Sequence, residues 1–187
     1  GGSEMHNQGL TDVLDQLRTV VPSLNVNAQP ISDAATLVRP ANLRGLPPDS
    51  TLLLLNGKRR HRSAVITFLG SGLSDGSQGP DLSVIPSIAL EQVEVLRDGA
   101  AAQYGSDAIA GVINFNLKKK AEGGQFEVFG GEFYEGDGQT LQSSALIGLP
   151  LTDAGYATFA AEWREADPTS RSVQRGDAAA VAATGNP

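Results

Sequence analysis

Few residues of this chain have the types and spacing that catalysis requires. Glu91 and Glu94 lie three positions apart across a predicted helix-to-strand junction, and two carboxylates are the set that general acid–base chemistry uses. A framework role, in which both carboxylates accept hydrogen bonds from nearby backbone N–H groups, is the favoured interpretation. No nucleophile with a neighbouring base accompanies them, so we do not expect an enzyme.

Metal and thiol chemistry find little support in the composition. The 187 residues include no Cys, which excludes a disulfide framework, a zinc–thiolate site and a thiol nucleophile. His6 and His61 are far apart, which excludes a paired-His metal motif. Asp75 and Asp81 have the right chemistry for Ca²⁺, but they follow no regular ligand spacing. We therefore expect neither a metal site nor a cofactor.

Binding of phosphate or nucleic acid is equally poorly supported. Gly70-Ser71-Gly72 has a faint similarity to a phosphate-binding turn, but its spacing fits neither the Walker nor the dinucleotide pattern. The chain has a formal net charge of −7 and a pI near 4.7. Because a nucleic-acid backbone repels such a chain, we expect no nucleic-acid partner.

The elements that must position these residues fall into two groups along the chain. The pattern of the first 121 residues predicts an α+β fold. Leu10–Val21 is predicted to be an amphipathic helix, since its apolar residues recur at i, i+3, i+4 and i+7. Gly70–Asp81 is rich in Gly and is predicted to be a flexible loop. The other predicted elements are strands at Leu24–Asn27, Asn42–Gly45, Leu52–Leu55, Val93–Leu96 and Val112–Leu117, a short helix at Ile85–Glu91 and a helical turn at Ala100–Gln103.

The pattern changes after Gly123-Gly124. Three segments alternate between apolar and polar residues, at Gln125–Tyr134, Gln139–Leu149 and Gly155–Glu165. Strands of this length with one apolar face, joined as a meander, are typical of an outer-membrane β-barrel. An ordinary antiparallel sheet with one face in water has the same periodicity, so both interpretations stay open.

Four blocks of sequence, in order, resemble the N-terminal plug domain of TonB-dependent outer-membrane transporters. The last block is the most specific, because it combines an Arg-x-Gly turn, a Tyr-Gly-Ser turn and a Gly-Val-Ile-Asn strand. Two positions depart from the family: Leu46 replaces an aromatic residue, and Arg97-Asp98 stands where Arg-Gly-Pro is common. The blocks are Thr11–Val26, Leu43–Leu46, Thr51–Arg59 and Ile85–Lys119.

The resemblance implies a domain organisation. Residues 10–121 would form a plug with a small mixed β-sheet and short helices, and residues 122–170 about three antiparallel strands that begin a truncated barrel. Residues 1–9 are predicted to be a linker that starts with a cloning remnant, and residues 171–187 a mobile loop. Since three strands cannot close a barrel, residues after about 122 should be disordered, folded against the plug or paired with another copy.

The resemblance also implies two site residues. Arginines at the motif positions of Arg44 and Arg97 bond to glutamates on the inner barrel wall of the family, and bidentate pairing of guanidinium with carboxylate suits such a lock. The basic run Lys58–Arg62 suggests a patch that binds polyanions, but a solvated loop or a contact with the barrel wall is the favoured interpretation. Gly45, Gly57, Gly99, Gly105 and Gly111 are predicted to be structural, because turns with positive φ favour glycine.

The function that the resemblance implies is gating of active import. The full-length protein would lie in the outer membrane of a Gram-negative cell, would depend on TonB, and would import a scarce ligand such as a siderophore, cobalamin or a carbohydrate. No residue is identified as the segment that pairs with TonB. The alternative is a periplasmic ligand-binding or interaction module with the same fold and no transport.

The isolated chain is expected to be soluble and to self-associate through strand edges. Candidate ligand contacts lie in an apex loop at Gly70, Ser71, Asp75, Gln78 and Asp81.

Overall fold

The computed structural model describes residues 13–26, 38–67, 72–169 and 176–183, and all structural statements concern these residues. The predicted helix start near Leu10 and the predicted linker at residues 1–9 lie outside them. The helices are α1 (Val13–Val20), α2 (Ala100–Tyr104) and α3 (Ala178–Ala183). The strands are β1 (Leu24–Val26), β2 (Ala41–Leu43), β3 (Thr51–Leu55), β4 (Lys58–Arg59), β5 (Leu90–Leu96), β6 (Gly111–Leu117), β7 (Gly123–Gly131), β8 (Thr140–Thr152) and β9 (Gly155–Ala166).

A four-stranded mixed sheet organises residues 13–120, which we call the N-terminal unit. Its strand order is β4-β3-β6-β5, with β3 parallel to β6 and the other two pairs antiparallel. The continuous apolar sequence of β3 follows from this central position, since both faces of the strand are covered. The Asn56-Gly57 turn joins β3 to β4, as an Asn-Gly pair between two strands predicts.

Apolar residues are buried on both faces of this sheet. On one face, Leu53, Ile113 and Phe115 belong to a cluster that includes Val13 and Leu17 of α1 and the β1–β2 pair. On the other face, residues of β3 and β6 pack with α2 and with Ala108. The short elements of the N-terminal unit are therefore held by the sheet rather than by their own helical propensity.

Strands β7, β8 and β9 form a separate antiparallel sheet, the C-terminal sheet. Leu146 of β8 packs with Ile88 and Ala89 of the N-terminal unit. Of the three arrangements expected for residues after 122, the chain adopts the one in which they fold against the preceding domain. The three alternating segments are confirmed as strands, and their ends shift by a few residues.

Three local predictions are wrong. The predicted helix at Ile85–Glu91 is a single 3₁₀ turn, Ser87–Ala89, and Leu90 already begins β5, because pairing with β6 outweighs a weak helical preference. The predicted mobile tail contains α3, an alanine-rich segment in which five of the six residues are Ala. The third wrong prediction concerns the loop predicted to be flexible at Gly70–Asp81. Part of this loop is buried, at Ser74, Ser77 and residues 79–80.

Among the described residues, no helix combines the length and the apolar character that crossing a bilayer requires.

Candidate functional site

Arg44 and Arg97 lie at one corner of the N-terminal unit. Arg44 follows β2 and Arg97 follows β5, and these strand ends approach each other. The Arg44 guanidinium donates a hydrogen bond of 2.9 Å to the Arg97 carbonyl oxygen, and its Nη1 lies 3.4 Å from Asp98 Oδ1. The contact with Asp98 was not predicted, because no sequence pattern indicates a salt bridge between residues 54 positions apart.

The two arginine side chains differ in their pairing. Arg44 is locally paired, whereas the exposed Arg97 guanidinium has no hydrogen-bond or ion-pair partner among the described residues. A guanidinium offers five donors in a planar fork, which fits a carboxylate. The corner therefore presents one free and one partly engaged binding group for an anionic partner.

The five predicted structural glycines all have positive φ. Gly111 is the most constrained, because a Cβ at this position would lie 2.5 Å from the Leu96 carbonyl oxygen and 2.6 Å from Leu43 Cδ2. The φ angles of Gly45, Gly57, Gly99, Gly105 and Gly111 are 70°, 77°, 71°, 91° and 146°.

The apex-loop candidates have structural partners where they are described. Gly70 and Ser71 lie outside the described residues. Asp81 Oδ1 accepts hydrogen bonds from the Arg39 N–H (3.0 Å) and from the Ser83 N–H and hydroxyl (3.0 and 2.8 Å). The Gln78 amide nitrogen donates to the Ser63 carbonyl at 2.7 Å. Asp75 is exposed, and the described residues bring no group of three or more metal-binding side chains together.

A buried cluster of hydroxyl groups, which the sequence did not predict, folds the loop that follows Gly72. The Thr67 hydroxyl contacts the Ser74 and Ser77 carbonyls, and the Ser77 hydroxyl donates to the Ser74 carbonyl at 2.6 Å. Asn42 of β2 bonds to the Ser74 hydroxyl at 3.3 Å. These side-chain bonds act together with backbone bonds in the same loop, where the Gly76 N–H donates to the Thr67 carbonyl at 2.7 Å and the Thr67 N–H donates to the Ser77 carbonyl at 3.1 Å.

The basic run Lys58–Arg62 makes contacts within its own unit. Arg59 forms a 2.7 Å ion pair with Asp107 and donates a 2.6 Å hydrogen bond to the Tyr104 carbonyl. Arg62 lies 3.7 Å from the other oxygen of Asp107. Asp107 thus ties the edge strand β4 to the Tyr-Gly-Ser turn, a contact that neither interpretation of the basic run included.

Glu91 and Glu94 do not form an acid–base pair. Both are exposed residues of β5, whose pairing with β6 is irregular between Leu90 and Gln92, and no hydrogen bond between the described residues joins the two side chains. Glu94 accepts a 2.9 Å hydrogen bond from the Asn114 side-chain amide and one of 3.4 Å from that of Gln92, so its partners among the described residues are side chains rather than the expected backbone N–H groups.

Glu162 makes a contact between the two units that sequence reasoning missed. Its Oε2 accepts hydrogen bonds from the Ser87 N–H at 3.1 Å and from the Ser87 hydroxyl at 2.9 Å. The Thr158 hydroxyl donates to the Lys120 carbonyl at 2.8 Å, which fixes the connecting segment to β9. The only signal in the sequence is that Glu162 and Thr158 share the polar face of the third alternating segment.

Residues 1–112 match the model of the TonB-dependent Receptor Plug Domain, which covers more than half of the chain. The chain belongs to this plug domain family. The N-terminal unit is therefore the plug, and the family resemblance seen in the sequence is confirmed.

Curated relatives are receptors and transporters. The chain is 31% identical over 148 residues to the ferric enterobactin receptor PirA of Pseudomonas aeruginosa, which is 78% of the chain and 20% of that protein. It is 34% identical over 112 residues to the vitamin B12 transporter BtuB of Vibrio vulnificus, which is 60% of the chain and 16% of that protein. The chain thus spans a fifth or less of the length of these relatives. Such receptors are not enzymes, which agrees with the expectation from the sequence.

The fold is shared with a solved receptor. The crystal structure of the siderophore receptor PirA from Pseudomonas aeruginosa matches 88% of the chain and 26% of its own length, with a TM-score of 0.62 and 24% sequence identity. The match extends past the plug, so β7, β8 and β9 correspond to the first strands of the barrel. The predicted fold class, an α+β plug followed by three barrel strands, is confirmed.

The C-terminal sheet has the polarity of a barrel wall. Gln142 and Ser144, on the face toward the plug, are only 5% and 4% exposed. Ile147 and Phe159 are paired across β8 and β9 on the other face, and they are 47% and 59% exposed. A water-soluble sheet buries its apolar face instead, so this arrangement favours the barrel over the ordinary sheet that the periodicity left open.

Proposed function

We propose that this chain is the gate of an active transporter in the outer membrane of a Gram-negative cell. One observation carries the proposal: the plug covers the polar face of β8, the central strand of a three-stranded sheet whose apolar face is exposed. A sheet of this polarity suits a barrel with lipid outside and a filled lumen. The alternative, a periplasmic module without transport, leaves the exposed apolar face without a role.

The ligand class is inferred from the relatives. The names of two relatives specify ferric enterobactin and vitamin B12. We therefore favour a ferric siderophore or cobalamin as the cargo over a carbohydrate. The family name adds the proposed energy-coupling partner, TonB.

Arg44 and Arg97 are proposed to lock the plug to glutamates of the barrel outside this chain. The support is their shared corner and the absence of a partner for Arg97 among the described residues. When TonB pulls on the plug, pairs of this kind can break together and release the corner as a unit. The outer strands β7 and β9 would pair with further barrel strands, whereas solubility and self-association of the isolated chain stay predictions.

Uptake by the full-length protein tests the proposed function. Cells that express it as their only receptor should accumulate radiolabelled ferric enterobactin or cobalamin, and deletion of TonB should abolish accumulation. Binding without accumulation, or accumulation that ignores TonB, would contradict a TonB-dependent gate and favour the module.

The locking role of Arg97 has its own test. Arg97→Glu places a carboxylate against the proposed wall glutamates, so TonB-dependent uptake should fall at least about tenfold, the effect of losing one charge-assisted pair of roughly 1.5 kcal/mol. Lys119→Glu reverses the charge of an exposed residue away from the corner and should leave uptake unchanged. Equal uptake by the two variants would remove the role.

A further inference from the structure

We propose that Glu162 of β9 is a positioning residue that latches the plug to the barrel through Ser87. The inference rests on the proposed function only for its consequence, the retention of the plug. The contact itself lies within the described structure. It is distinct from the arginine corner, whose partners lie outside this chain.

The latch is a two-point contact on one carboxylate oxygen. Both hydrogen-bond donors of Ser87, its N–H at 3.1 Å and its hydroxyl at 2.9 Å, meet Glu162 Oε2. The Ser144 hydroxyl of β8 approaches the same oxygen at 3.4 Å and orients it from the barrel side. Hydrogen bonds to an ionised acceptor are about twice as strong as neutral ones.

The plug cannot satisfy this donor locally. Ser87 begins a 3₁₀ turn, and the preceding Pro86 makes no side-chain capping bond. Proline has no side-chain acceptor with which to cap a turn. The capping carboxylate instead comes from a barrel strand, 75 positions along the chain.

An apolar contact lies next to the Ser87 end of the latch, whereas Glu162 itself is exposed. Ile88 is fully buried, and it packs with Ala89 and with Leu146, which is 2% exposed. Leu146 is an apolar residue on the plug-facing side of β8, between the polar or small residues Ser144 and Gly148. This apolar contact holds the buried Ser87 side of the latch in place against β8.

The two units are not in continuous contact around the latch. Beside it, a cleft of about 270 Å³ separates the two units, lined by residues that include Leu55, Pro86, Leu117 and Ala160. Because the neighbouring surfaces are not in full contact, few other groups can replace the bonds to Glu162.

The latch lies at the start of β5, the strand that ends at the arginine corner. Ser87 stands before β5 and Arg97 stands after it, so the strand is held at both ends, about 20 Å apart. Release of the arginine corner alone would leave the start of β5 attached to the barrel. Glu162 therefore determines whether this part of the plug stays with the barrel wall.

Hydrogen exchange of the full-length protein in its membrane tests the latch without reference to transport. In Glu162→Ala, the Ser87 amide should exchange at least tenfold faster, measured by mass spectrometry of the peptide that contains it. Glu165→Ala lies on the same strand with its side chain on the opposite face, so the Ser87 amide should exchange at the wild-type rate. Unchanged exchange in Glu162→Ala, or an equal increase in Glu165→Ala, would overturn the proposal.

Two further variants separate the latch from a general loss of folding. Ser87→Ala removes only the hydroxyl bond and should give a smaller increase in exchange of the residue-87 amide, and combining it with Glu162→Ala should add nothing. Glu162→Gln keeps a neutral acceptor and should lie between wild type and Glu162→Ala; it replaces the alanine variant if that fails to assemble. An additive double variant, or a glutamine variant equal to wild type, would count against the latch. Parallel uptake assays show whether the proposed function fails independently.

Discussion

Gly111 begins β6 at a place where the backbone leaves no room for a side chain. Its φ of 146° is unfavourable for other residues, and a Cβ would meet both a carbonyl oxygen and a core leucine. Arg44 is a different case at the same scale. Its φ of 57° is unusual for a residue with a side chain, and its guanidinium contacts the Arg97 carbonyl and Asp98. Both residues shape the arginine corner, since Gly111 packs against Leu96, the residue before Arg97.

Gly111→Ala should lower the free energy of unfolding by about 3 kcal/mol, because backbone strain and a steric clash add. The measurement is urea denaturation of the chain followed by circular dichroism. Gly45→Ala is the matched control: its φ of 70° is also positive, but nothing lies within 4 Å of the added Cβ. It should cost only about 1 kcal/mol. Equal losses in the two variants would show that the close approach to Leu96 and Leu43 does not matter.

The turn between β3 and β4 shows how a single element joins three strands. Asn56 has a φ of 50° and Gly57 a φ of 77°, as the Asn-Gly signal indicates. The structure adds that the Asn56 side chain accepts a 2.8 Å hydrogen bond from the Leu117 N–H and that the Asn114 side chain accepts one of 3.0 Å from the Gly57 N–H. The turn is therefore fastened to the end of β6, where the connection to the barrel begins.

Asn56→Ala should destabilise the chain by about 1–2 kcal/mol, since it loses one hydrogen bond and a residue that tolerates positive φ. Asn56→Asp keeps an acceptor and a similar backbone preference, so its loss should stay below about 0.5 kcal/mol. Urea midpoints of the two variants, at equal denaturant dependence, make the comparison. An aspartate variant as unstable as the alanine variant would mean that the acceptor contributes nothing.

Prediction from sequence succeeded for elements whose pattern is periodic. Alternation located β7, β8 and β9, and the apolar run located β3, because burial repeats with the geometry of a strand. It failed where the hydrogen bonds of short polar side chains determine how a segment folds. The bonds of Thr67 and Ser77 to carbonyl oxygens fold a segment whose glycines predict a flexible loop, and no periodicity reports such bonds.

For the whole molecule, motif resemblance identified the plug, while the locking role that it implies for Arg44 and Arg97 stays a prediction. The interface between plug and barrel could not be predicted from the sequence. The polar face of β9 was predicted, yet nothing in the sequence says which of its residues meets the plug. The Ser87–Glu162 contact depends on how two separately folded units meet, and that requires three-dimensional packing. Thr158 is a second case, because its partner is a backbone carbonyl, which carries no residue-specific signal.

The outward face of the C-terminal sheet is the feature that decides between membrane and water. From Leu141 to Leu151 the outward residues of β8 cover about 34 Å along the strand, which is roughly 25 Å across a bilayer at a tilt near 40°. This matches the apolar band of a transmembrane barrel, and Phe159 lies near its middle, whereas Leu151 lies near the hairpin turn at its edge.

Phe159→Lys should therefore destabilise the full-length barrel by about 2–4 kcal/mol, the cost of a lysine near the bilayer midplane. Leu151→Lys introduces the same charge near the interface and should cost about 0–1 kcal/mol. Reversible denaturation in lipid vesicles, followed by tryptophan fluorescence, gives both values. In a sheet that faces water, both substitutions would be exposed and nearly neutral, within about 0.5 kcal/mol. Only a wall facing lipid produces a cost that grows with depth, so the difference between the two variants, rather than either loss alone, tests the membrane assignment.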